Sequence, residues 1–106
     1  MALASGGQPK FAVVSKSAAA TAEIVAAVTG KRIRVLAYTL VASGGANSVN
    51  WENGTTDITG VMDLPNDTSL SASSPDGLFE TSVGTALQLT QSAATLVAGH
   101  VTYIEV

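Results

Sequence analysis

The stretch KSAAATAEIVAAVTGKRIRVLAYTLVA, residues 16–42, decides which class of fold this chain can adopt. Its first half admits two readings. The alanines and Glu23 carry good helix propensity, and Ala18, Ala22 and Val25 are spaced acceptably for one helical face. Thr21, Ile24, Val25 and Val28 are branched at Cβ and pull toward strands. The second half settles the matter. Thr29-Gly30-Lys31 forms a tight turn in which Gly30 can take a positive φ, and it leads into RIRVLAYTLVA, a run rich in branched and aromatic residues. The segment therefore reads as strand, turn, strand, with the turn as a hairpin tip.

Along residues 32–41 the pattern has a period of two. Ile33, Val35, Ala37, Thr39 and Val41 fall on one face, and Arg32, Arg34, Leu36, Tyr38 and Leu40 on the other. The second face begins charged and ends apolar. Lys31, Arg32 and Arg34, three of the five basic residues in the chain, thus sit together at one end of the domain. They face either solvent or an acidic partner, where Arg suits bidentate carboxylate contacts.

Working outward, MALASGGQP at residues 1–9 is small and Gly-rich and reads as a flexible N-terminal arm, with residues 10–106 as one domain. KFAVVS is a short strand. VNWENG alternates, with Val49 and Trp51 on one side and Ser48, Asn50 and Glu52 on the other. TTDITGVMDL is a further strand with Gly60 as a bulge or close-approach point. PNDTSLSASSPDG, residues 65–77, is dense in turn formers and reads as the longest loop. LFET, ALQLTQ, ATLVAG and HVTYIEV complete eight or nine short strands, spaced as in a β-sandwich or barrel. The single-domain antiparallel β-sandwich fits best, with the last strand ending inside a sheet.

The totals narrow the function. Charged residues make up 12% of the 106, about half the usual ~25%, and a chain this poor in charge hides surface against copies of itself or a partner. A net charge of −3 argues against nucleic acid, because phosphate neutralisation needs a basic face. There is no cysteine, hence no thiol nucleophile or thiolate metal site. No apolar run reaches the ~18 residues of a membrane span, and the start lacks the features of a secretory signal, so the expectation is a soluble chain made in the cytoplasm. The sequons at Asn53 and Asn66 carry no weight in such a chain.

No catalytic, cofactor or metal constellation stands out. His100, the single histidine, follows Gly99 and reads as a surface residue beside a turn. Asp63, Asn66 and Asp67, with Asp57 and Asp76, offer oxygens that could face Ca²⁺, but their spacing fits no EF-hand and better suits Asx turns. Glu52, Asp57 and Glu80 show no pairing for glycoside hydrolysis. Trp51, Tyr38 and Phe79 would form a carbohydrate-stacking platform if exposed, although so few aromatics are worth more in the core.

Four motifs carry a family resemblance. Val28-x-Gly30-Lys31-Arg32-Ile33-Arg34-Val35-Leu36, Trp51-x-x-Gly54-x-Thr56-Asp57-Ile58-Thr59-Gly60, Gly77-x-Phe79-Glu80-Thr81 and the closing GHVTYIEV from Gly99 resemble small β-sandwich proteins of tailed phages and prophages. The match runs from about residue 24 onward. The resemblance implies a jelly-roll-like, non-enzymatic virion structural protein of the decoration or cement type, often trimeric. Such a protein is made in the bacterial host cytoplasm and resides on the capsid surface, where it binds between major capsid subunits and stabilises the head. It implies no cofactor, nucleic acid or membrane, and it makes Lys31, Arg32 and Arg34 the interface candidates. A neck, tail or fibre component, or a carbohydrate-binding or adhesion module at the virion surface, is the alternative.

Overall fold

The computed structural model describes residues 8–106, so most of the arm expected over residues 1–9 lies outside the described residues. The described chain is all-β, with strands β1 (Lys10–Lys16), β2 (Thr21–Val25), β3 (Ile33–Ser43), β4 (Asn47–Asn53), β5 (Thr56–Asp57), β6 (Met62–Leu64), β7 (Ser69–Ser73), β8 (Phe79–Glu80), β9 (Leu87–Gln91) and β10 (Leu96–Glu105). Every pairing is antiparallel.

One sheet runs β1-β10-β3-β7, with β8 following β7 along the same edge of β3. The other runs β2-β9-β4-β5, with β6 beside β5 on β4. Taking β5 with β6 and β7 with β8 as two interrupted strands leaves eight positions. The first, eighth, third and sixth make one sheet; the second, seventh, fourth and fifth make the other. That is the strand order of a jelly roll. The sandwich expected from the sequence is therefore present, and its topology is the jelly-roll one.

Thr29-Gly30-Lys31 is a turn but not a hairpin tip. Lys31 N–H donates to Val28 O at 3.0 Å and Gly30 takes φ +76°, as a type II turn requires. The strands on either side belong to different sheets, β2 pairing with β9 and β3 with β10, so the turn is a corner between layers. Only Thr21–Val25 of the ambiguous alanine-rich segment becomes strand; the flanking alanines lie outside strands.

The strict alternation expected along β3 breaks at its middle. Ile33 and Val35 are buried, but so are Tyr38, Leu40 and Ala42, which carry the opposite parity. The cause is a bulge: Val35 pairs with Tyr103 and Ala37 with Thr102, leaving Leu36 without a partner on β10. One extra residue moves every following side chain to the other face. Thr39 and Val41 thereby turn outward, and Leu40 enters the core.

Other boundaries also shift. Gly99 is not a turn but lies within the continuous strand β10, and a Cβ there would sit 1.8 Å from Thr39 O. Gly60 falls between β5 and β6 with open space around it, so it is neither a bulge nor a close approach. The expected long loop at 65–77 contains β7, whose Leu70 and Ala72 point inward between three exposed serines. As expected, β10 is central in its sheet, and Val106 exchanges backbone hydrogen bonds of 2.7 and 3.0 Å with Arg32.

The core lies between the sheets, built from Val14, Ile33, Val35, Leu40, Val97 and Val101 on one layer and Val49, Trp51, Leu64, Leu87 and Leu89 on the other, all at most 1% exposed. Polar groups close its ends. Asn47 Oδ1 accepts from Ser92 N and Ala93 N at 3.1 and 3.0 Å while its Nδ2 donates to Ala93 O and Thr95 O, which pins the β9–β10 loop. Gln91 Nε2 donates to Thr95 O at 2.9 Å, and Thr81 Oγ1 accepts from Ile33 N at 2.9 Å. Each satisfies a buried group whose orphaning costs about 1–3 kcal/mol.

Candidate functional site

The basic cluster comes together, but with an acid inside it. Arg34 points outward from β3 opposite Glu80 of β8, and its Nε donates to Glu80 Oε1 at 2.8 Å. Arg32 Nη1 lies 3.5 Å from Glu80 Oε2. Glu80 thus sits between two guanidinium groups as an acidic partner from within the chain. Lys31 is exposed and makes no ion pair among the described residues. Its backbone oxygen accepts from Gly84 N at 2.8 Å, which places it at the end of the sandwich beside the 81–86 loop. The side chains of Arg34 and Glu80 remain 24% and 32% exposed, so this pair contributes at most about 1 kcal/mol.

The outer face of the β1-β10-β3-β7 sheet forms a regular grid. Register places Phe11, Thr102, Ala37 and Ser73 in one row, Val13, His100, Thr39 and Ser71 in the next, and Ser15, Ala98, Val41 and Ser69 in the third. Three columns carry mostly small side chains. The β1 column carries Phe11 and Val13, exposed at 74% and 79%. His100 stands in the middle of this face, mid-strand rather than beside a turn. None of the twelve grid positions holds Asp, Glu, Lys or Arg, and the Arg34–Glu80 pair borders the grid at one end.

The outer face of the other sheet is acidic. Register sets Glu23 opposite Gln88, Gln88 opposite Glu52 and Glu52 opposite Asp57, one row across four strands. Asn50 Nδ2 donates to Asp57 Oδ1 at 2.9 Å and to Glu52 Oε2 at 3.4 Å, tying the two carboxylates to one amide. They lie side by side on one surface, not across a groove. No group of His, Asp and Glu suited to a metal ion occurs among the described residues. Asp63 Oδ1 accepts from Ser48 Oγ at 3.1 Å across the β4/β6 pair, and Asn66 Oδ1 accepts from Gly45 N at 2.9 Å, tying the β6–β7 loop to the β3–β4 loop.

Trp51, Tyr38 and Phe79 do meet, but between the sheets. Tyr38 stands edge-on to Trp51 at 5.4 Å between ring centroids, and Phe79 lies 6.1 Å from Trp51 and 6.4 Å from Tyr38. Trp51 is fully buried and Tyr38 is 7% exposed, so the three form a core cluster and not a surface platform for sugars. Burial pushes the Tyr38 phenol above its ordinary value of 10.0, with a weaker opposing influence from Trp51. Its hydroxyl contacts Met62 Sδ at 3.6 Å, while Trp51 Nε1 has no hydrogen-bond partner.

Sequence reasoning missed Phe11 and Val13. KFAVVS is apolar on both parities, and only pairing with β10 shows that Val14 enters the core while Phe11 and Val13 stand outside.

No protein-family model matches the chain, and no curated protein does. Among solved structures, one described as "Bacillus endospore appendages form a novel family of disulfide-linked pili" is similar in fold. Its TM-score is 0.55 at 14% identity, covering 99% of this chain and 95% of that one. The similarity extends over the whole sandwich.

Proposed function

We propose that this chain is a non-enzymatic structural subunit that docks on other protein subunits, as a decoration protein of a tailed-phage head. The carrying observation is the grid on the outer β1-β10-β3-β7 face, where a surface of mostly small residues without Asp, Glu, Lys or Arg leaves Phe11 and Val13 exposed. Apolar side chains presented on an open sheet face suit docking, which gains from removing them from water. The phage-like motifs support the head as the place of action. A subunit that binds only the assembled shell stabilises it by linkage.

The test is to add the purified chain to heads of the encoding phage that lack it. Co-sedimentation and a rise in the temperature at which heads rupture are expected. Heads that neither bind the chain nor gain heat resistance would remove the decoration role.

The whole-length fold similarity to a pilus structure favours a second reading, a subunit of a filament. These 106 residues contain no cysteine, so such a filament would be held by non-covalent contacts. Electron microscopy of the concentrated chain tests this, with a field free of filaments as the negative outcome.

A further inference from the structure

We infer that the outer β1-β10-β3-β7 face is a self-complementary interface, seating a second copy of this chain sheet against sheet. The inference rests on the reading of the chain as a structural subunit and assigns this face to its contact with a second copy, which leaves the other surfaces of the pair to meet a head.

Shape gives the first argument. The grid is a ridge on one side and a floor on the other: Phe11 and Val13 rise from β1, while Ser69, Ser71 and Ser73 line β7. A two-fold axis lying in the interface, parallel to the strands and between β10 and β3, exchanges these two sides. It sets Phe11 over Ser73 and Val13 over Ser71 of the second copy, and His100 over Thr39. Each ridge then falls on the partner's floor, the isologous contact of a two-fold dimer.

Charge gives the second. One alternative self-contact is edge to edge through β1, which has no neighbour on its outer side among the described residues. Antiparallel pairing of two β1 strands centred on Val13 brings Lys10 opposite Lys16, like charges in adjacent strands. Terminal lysines protect an edge in this way. Face-to-face packing leaves these lysines at the rim, and the grid itself brings no Asp, Glu, Lys or Arg into the contact.

Area gives the third. The grid spans four strands about 4.8 Å apart and about five residues of each, the full length of β7, and projects roughly 330 Å² per copy. The pair buries about 650 Å² in projection and the relief of Phe11 and Val13 adds to it, the size of a weak contact below the ~1,200 Å² of standard interfaces. A weak dimer, forming at about 100 µM or above, is expected.

The full chain tests this by sedimentation equilibrium from about 1 µM to about 1 mM. A monomer–dimer equilibrium is expected, and Val13→Asp should raise its dissociation constant about tenfold or more. Val13 is 79% exposed, so an unchanged melting curve would show that the variant still folds. The absence of cysteine permits a positional check. Aligned sheets pack about 10 Å apart, so Thr39→Cys should couple to itself through a short bismaleimide, whereas Gln88→Cys on the opposite face should not. A monomer at every concentration, a dimer indifferent to Val13→Asp, or coupling at Gln88→Cys instead would overturn the interface. A monomer that still binds phage heads would overturn the dimer alone. A Val13-dependent dimer that binds no head would remove only the decoration role.

Discussion

Arg34 and Glu80 stand opposite each other across the β3/β8 pair, joined at 2.8 Å, with Arg32 reaching the second carboxylate oxygen at 3.5 Å. The most conspicuous charge cluster of the chain is thus anchored from within. Gly77 packs against the Arg34 stem so closely that a Cβ would lie 2.8 Å from Cγ and Cδ. Glu80→Gln should lower stability by less than about 1 kcal/mol, since the pair is partly solvated. Arg34→Glu should cost more, because it sets two carboxylates side by side on adjacent strands. Urea denaturation of both variants checks the order; a larger loss for Glu80→Gln would contradict the geometry.

Glycines 30 and 99 both have positive φ, at +76° and +151°, but they should respond differently to alanine. At Gly30 a Cβ meets open space, so the loss is confined to backbone strain of about 1 kcal/mol. At Gly99 the Cβ would drive into Thr39 O and force β10 away from β3, two central strands of their sheet. Gly99→Ala should fail to give a soluble, cooperatively melting protein, while Gly30→Ala should melt only a few degrees early.

Tyr38 links stability to alkaline pH. Its burial in the aromatic cluster raises the folded-state phenol above 10.0, so the unfolded chain releases this proton first. The contribution is fully present below about pH 10 and is lost as pH rises through the folded-state value. Melting temperature should therefore fall more steeply above about pH 10 than in Tyr38→Phe. Parallel curves for the two proteins would contradict the assignment.

Trp51 is the only tryptophan and is fully buried. Its emission should be blue-shifted, resistant to acrylamide and indifferent to sugars. Trp51→Ala should cost about 3–5 kcal/mol through the cavity left between the sheets. A red, readily quenched emission in the folded protein would place the indole elsewhere.

Much of the fold is legible locally. The β-branched run after Gly30, the alternation of Val49 and Trp51, and the scarcity of charge follow from residue chemistry alone, and they suffice for an antiparallel sandwich. What they leave open is pairing, because a strand's pattern says which face is apolar but not which strand lies beside it. Hence the expected hairpin at Gly30 became a corner between sheets. The Leu36 bulge exists only relative to the shorter path of β10, yet it decides that Leu40 enters the core and Thr39 faces outward. Three of the five residues of β7 are serines, so it becomes a strand through β3 and not through its own propensity. The candidate site divides in the same way. The clustering of Lys31, Arg32 and Arg34 is a fact of sequence, whereas Glu80 as their partner, 46 positions from Arg34, is a product of topology. The exposure of Phe11 and Val13 is likewise a matter of which side of β1 its neighbour β10 leaves to solvent.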